Sequence, residues 1–131
     1  MPDRLKILYV DDEPDIRTIV GMALALDPAI DVRMADSGQQ ALALLGEGMW
    51  MPDLALIDMM MPGISGIEVM QAMRTQSRTA SVPVVFVTAS ARGAEVERYL
   101  AAGAVGVISK PFDPMRLART VRDYCRPQVG Q

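Results

Sequence analysis

The chain contains no histidine. That removes imidazole both as a general base and as a metal ligand, so any chemistry must rest on carboxylates, hydroxyls and lysine. Cys125 is the only cysteine, which excludes an intrachain disulfide, a CxxC redox pair and a cysteine zinc site, and suits a reducing cytosol. Positive charge is in short supply: 13 Lys and Arg stand against 16 Asp and Glu. No overall basic field is left to draw in a nucleic acid backbone or an anionic membrane, and direct DNA binding is not expected. Long apolar runs are also missing. Arg4 and Lys6 lead only into Ile7, Leu8, Tyr9 and Val10 before three acids, far short of a signal-peptide core or a membrane span. A cytoplasmic protein with no membrane insertion is expected.

What is present is apolar mass in an alternating pattern. Of 131 residues, 50% are hydrophobic and 22% charged, the composition of a globular chain in the size range of one domain. We expect a single domain over 1–131 with its core at about 5–125. A strand-like run at 6–10 precedes Ile16, Ile19, Val20, Ala23 and Leu24, which recur at helical spacing. Asp27-Pro28 breaks that helix, 31–35 reads as a second strand, and Ser37 with Gln40 forms a capping-box signature for a helix over 39–45. A third strand at 54–57 ends in Asp58, and the Pro62-Gly63 loop leads to a helix carrying Ile67, Met70 and Met73. The fourth strand is 84–87. The helix over 94–102 shows Val96, Tyr99 and Leu100 on one face, with Gly103 as its stop. The fifth strand is 105–108, and Asp113-Pro114 opens a last helix lined by Leu117, Val121, Tyr124 and Cys125. The tail after Arg126 is short for another domain. Alternating strands and helices imply an α/β fold: a doubly wound, five-stranded parallel sheet with helices on both faces.

In such a sheet, ligands bind at the carboxyl ends of the strands. The polar residues fall there: Asp11, Asp12 and Glu13 after the first strand, Asp58 at the third, Thr88 at the fourth and Lys110 after the fifth. Two carboxylates at 4 Å repel by up to about 4 kcal/mol at an intermediate dielectric, which a hard cation relieves. Magnesium takes oxygen ligands and is held by one or two carboxylates together with a phosphate. Each residue also has an ordinary reading. The acids suit a helix N-terminus, Asp58 a loop start, Lys110 a surface and Thr88 a strand. Gly63 and Gly66 read as backbone devices for the loop and the helix entry. The methionines of the third helix read as core filler, and Arg116, Arg119, Arg122 and Arg126 as a solvated face of the last helix.

Taken in order, YVDDE, LIDMMMPGISG, VTA and SKPF resemble the receiver domain of two-component response regulators, over Leu5 to about Tyr124. The resemblance implies a receiver or flavodoxin-like fold with strand order 2-1-3-4-5. By position it makes Asp58 the phosphoacceptor, Asp12 a direct ligand of Mg2+, Asp11 a ligand acting largely through water, and Met60 a ligand through its backbone carbonyl. Thr88 and Lys110 would each contact a phosphoryl oxygen, with Lys110-Pro111 as a cis peptide. The phosphodonor would be a histidine kinase or a histidine phosphotransfer protein, and the output a downstream protein partner that the sequence does not name. Such a domain assists its own phosphorylation but is not a turnover enzyme. Asp58 is expected to be ionised already, so that no general base is needed.

A haloacid-dehalogenase-like phosphotransferase also uses a strand-end aspartate, magnesium, threonine and lysine, but needs a second aspartate where this chain has Met60. A receiver-like module that is never phosphorylated conflicts with five intact chemical positions. A flavodoxin-like cofactor carrier would need a phosphate-cradling loop where Asp11, Asp12 and Glu13 would repel phosphate. The short tail suggests a stand-alone regulator or phosphate shuttle, unless the chain is a piece of a longer regulator. One departure stands out. The family commonly carries Tyr or Phe three residues before the lysine, and here that residue is Val107. A stiff, ringless side chain cannot give the usual rotamer signal, so the response is expected to run through the backbone at 89–94, with Gly93 as a pliable point.

Overall fold

Leu54–Asp58 forms a strand because an unbroken run of apolar residues can bury both of its faces between layers of helix. The computed structural model describes residues 4–89 and 92–125. Its strands are β1 (Leu5–Val10), β2 (Ile30–Ala35), β3 (Leu54–Asp58), β4 (Val84–Thr88) and β5 (Gly106–Ser109). They alternate with helices α1 (Pro14–Leu24), α2 (Gly38–Gly46), α3 (Gly66–Arg74), α4 (Gly93–Ala102) and α5 (Leu117–Cys125). All strand pairs are parallel, in the order β2-β1-β3-β4-β5. The fold class and strand order are those expected from the sequence.

Alternation along each strand divides the core in two. Leu8, Val10, Ala55, Ile57, Val84 and Phe86 face one layer, where Ala41 and Leu45 of α2 and Val69, Met70 and Met73 of α3 pack. Ile7, Tyr9, Leu54, Leu56, Val85 and Val87 face the other, against Val20, Ala23 and Leu24 of α1 and Leu117 and Val121 of α5. Met70 and Met73 are therefore core filler. Strand order reverses between β1 and β3, and the crevice at that switch point opens at Asp11 and Asp58.

The helix ends show where local chemistry was read correctly and where it was not. Ser37 accepts the Gln40 N–H at 3.1 Å as expected. The Gln40 side chain, however, returns to the N–H of Asp36 at 2.6 Å, so the box closes one residue upstream. A full reciprocal box, unforeseen, opens α3: Glu68 N–H donates to Ser65 Oγ and Ser65 N–H to Glu68 Oε1. In α4 the anchor is Tyr99, edge-on to Phe86 with ring centroids 5.6 Å apart, and Leu100, the next residue round the helix, is turned outward. The fifth strand starts at Gly106 and leaves Val105 exposed, although the Val105 N–H still donates to the Val84 carbonyl at 2.8 Å; at 106 the Tyr124 ring occupies the space a Cβ would need. Asp113-Pro114 caps a turn ahead of α5 through the Met115 N–H. Arg122 is no free surface charge: it pairs with Asp27 at 2.8 Å, and the Ala29 N–H and Arg122 together hold the Asp27 carboxyl below the usual carboxylate range. Arg126 and residues 90–91 of the expected responsive segment lie outside the described residues.

Gly66 joins the fold to the site. A Cβ there would sit 2.7 Å from the Asp58 carbonyl oxygen and 3.1 Å from Met59 Cα, and neither backbone atom can turn away. Gly66→Ala is expected to lower stability by about 1–3 kcal/mol in urea unfolding, against the gain of up to about 1 kcal/mol that alanine gives in an unobstructed helix. A more stable Gly66→Ala protein would show that α3 does not rest on the end of β3 in this way.

Candidate functional site

Asp11 leaves the end of β1 completely buried. Tyr9 Oη–H donates to its Oδ2 at 2.7 Å and Lys110 Nζ donates to the same oxygen at 3.1 Å. Oδ1 accepts the Glu13 N–H at 3.0 Å, and the Arg17 guanidinium donates to the Asp11 carbonyl at 2.8 Å. Asp58, at the end of β3, is only 5% exposed. Its Oδ1 takes the Met60 N–H at 3.4 Å and lies 3.5 Å from Lys110 Nζ. Lys110 thus stands over three acids, the third being Glu13 at 3.6 Å.

Carboxylate oxygens of Asp11, Asp12 and Asp58 all fall within 4.8 Å of one another. Three oxygen donors, one of them only partly covered, and no nitrogen or sulfur ligand among them suit a hard cation such as Mg2+. Thr88 is buried at the end of β4, and its carbonyl accepts the Lys110 N–H at 2.8 Å, which fixes the start of the lysine loop against the neighbouring strand. The Lys110-Pro111 peptide is cis. Met60 points its side chain outward, 77% exposed, while its N–H faces Asp58.

Burial, then the charge of Asp11, pushes the Asp58 carboxyl up to about 6, even though Lys110 and the Met60 N–H pull the other way. Asp58 is therefore nearer to neutrality than its residue type alone suggests. Lys110 is affected in the opposite sense. Burial works against its charge, but the hydrogen bond to Asp11 and the charges of Asp11, Asp58 and Glu13 prevail and hold the ammonium above its ordinary range. Two neighbours were missed from sequence, Tyr9 and Arg17. Tyr9 was legible: residues two apart on a strand share a face, so its ring and the Asp11 carboxylate lie on the same side.

A family model described as the response regulator receiver domain matches residues 7–122. The chain belongs to that family. It is 36% identical to the DNA-binding response regulator MtrA of Mycolicibacterium smegmatis, over 94% of this chain and 51% of MtrA. The receiver domain thus spans about half the length of that relative. It is also 34% identical to an uncharacterized 14.6 kDa protein of Leptolyngbya boryana, over 93% of this chain and 91% of that protein. Among solved structures, the chemotaxis response regulator CheY4 of Vibrio cholerae superimposes with a TM-score of 0.81 at 30% identity, covering 92% of this chain and 98% of that one. The receiver domain is a signalling module of two-component systems. Among its described residues, no helix is long and apolar enough to cross a membrane.

The raised Asp58 carboxyl has a consequence for stability. Between about 4, where the unfolded chain titrates, and about 6, the folded receiver domain holds more protons, so its metal-free stability falls as pH rises through that window. Asp58→Asn, which resembles the protonated acid, is expected to match wild type near pH 4 and to exceed it by about 1–3 kcal/mol at neutral pH in the presence of a chelator. Urea unfolding at both pH values checks this, and an Asn variant no more stable than wild type at neutral pH would contradict it.

Proposed function

We propose that this receiver domain accepts a phosphoryl group on Asp58, with Mg2+ as cofactor, from the phosphohistidine of a histidine kinase or histidine phosphotransfer protein. The observation that carries the reading is the juxtaposition of a nearly buried Asp58 with two further aspartates and the Lys110 ammonium. Phosphoryl transfer asks a protein mainly for in-line positioning and for neutralisation of charge on the equatorial oxygens. A carboxylate oxygen of Asp58 attacks phosphorus, the P–N bond to the donor imidazole breaks, and an acyl phosphate results. Asp12 would hold the metal directly, Asp11 largely through water, and Met60 through its backbone carbonyl. When bound, the metal supplies charge neutralisation between the acids and the phosphoryl oxygens. Lys110 and the Thr88 hydroxyl each take one phosphoryl oxygen, and Lys110 carries the signal to β5. With Asp58 at about 6, most of it is ionised at neutral pH and no general base is required.

The chain acts as one domain over 1–131, in the cytoplasm, as a phosphoacceptor rather than a turnover enzyme. Met60 fills the place where a phosphomonoesterase of related architecture has its second acid. Its output is a change in affinity for a protein partner. A net charge of -3 gives this segment no electrostatic hold on DNA, whatever the activity of longer relatives.

Incubation with acetyl phosphate and Mg2+ is expected to add one phosphoryl group, seen by intact-mass spectrometry, and Asp58→Asn to take none. Equal labelling of the Asn variant would remove Asp58 as the acceptor.

A further inference from the structure

Tyr9 is the penultimate residue of β1, 1% exposed, within the layer that includes Leu56, Val87, Ile108 and Val121. Phenylalanine would supply the same ring to that layer. What tyrosine adds is a hydroxyl, delivered at 2.7 Å to Asp11 Oδ2, the same oxygen that holds Lys110 Nζ at 3.1 Å. Lys110 is closer to Asp11 than to Asp58, at 3.5 Å. If Lys110 is to reach a phosphoryl oxygen on Asp58, it must loosen its grip on Asp11, and a buried carboxylate oxygen would then lose its direct ion pair with the lysine. Leaving such an oxygen without a donor is costly. The tyrosine hydroxyl stays behind as that donor. Being uncharged, it does not compete with Lys110 for the incoming anion.

We infer that Tyr9 is a positioning residue, whose hydroxyl holds Asp11 in place and thereby frees Lys110 to move to the phosphoryl group. The inference rests on the proposed reading that Asp58 is the acceptor and Lys110 contacts the phosphoryl group. Without the hydroxyl, Asp11 Oδ2 depends on Lys110, since the Glu13 N–H serves only Oδ1, and the lysine is retained where the reaction does not need it.

A double-mutant cycle of Tyr9→Phe with Lys110→Met tests this, since phenylalanine keeps the ring that the layer requires. The rate of labelling by acetyl phosphate at saturating Mg2+ is expected to fall about tenfold in Tyr9→Phe, as loss of a hydrogen bond to a charged group allows. In the Lys110→Met background the same substitution is expected to change the rate by less than about twofold. A second readout is the 15N signal of the Lys110 ammonium, which should shift on phosphorylation in wild type and shift much less in Tyr9→Phe. An equal slowing in both backgrounds, or a labelled wild type with an unslowed Tyr9→Phe, would make Tyr9 a packing residue and overturn the inference alone. A wild-type protein that takes no phosphoryl group would overturn the parent reading, and this one with it.

Discussion

Three aspartates converge at one edge of the sheet, and the two that share the Lys110 ammonium are almost without water. Isolated buried carboxylates are so unfavourable that they are normally paired or protonated. Here Asp11 is stabilised by a lysine, a tyrosine hydroxyl and a backbone N–H, whereas Asp58 receives a longer contact from the same lysine and one weak backbone donor. The shortage of positive charge falls on Asp58. The same shortage raises its carboxyl toward neutrality and leaves a set of oxygen donors suited to a hard cation.

The fold holds this imbalance in place. Register pairs Val10 with Ile57 and Asp58 with Val87, so the acids leave adjacent strands at one edge of the sheet. The backbone bond from Lys110 to Thr88 brings the lysine to that edge from the far side. Helix α3 starts directly against the Asp58 backbone, and only glycine allows so close an approach. Relaxation of the acids away from one another would require the sheet or this helix to move.

Much of this was legible in the sequence. Strand-helix alternation set the fold class, and polar residues at the ends of apolar runs marked Asp11, Asp12, Asp58, Thr88 and Lys110, because burial makes a charge after such a run conspicuous. The less legible features depend on which atom meets which across the fold. Gln40 reaches Asp36 rather than Ser37 because side-chain length and rotamer, not spacing, decide the partner. Leu100 points outward because Tyr99 takes the contact with Phe86, and period alone does not rank two adjacent apolar residues. β5 starts one residue later than expected, at Gly106, whose missing Cβ leaves room for the Tyr124 ring, a contact between residues far apart in the chain. Val107 is partly buried beside the layer that holds Phe86 and Tyr99, so the ring pair of this region lies between β4 and α4 rather than on β5.

We propose that the acids at the edge of the sheet form a cation site in which Asp12, the most exposed of the three, is a direct ligand. Isothermal titration of the metal-free protein with MgCl2 at neutral pH measures this directly. One Mg2+ per chain is expected for wild type, with a loss of more than about tenfold in affinity for Asp12→Ala, since removal of a direct carboxylate ligand takes away both charge and coordination. Equal affinity in the two proteins, or no binding to either, would contradict it.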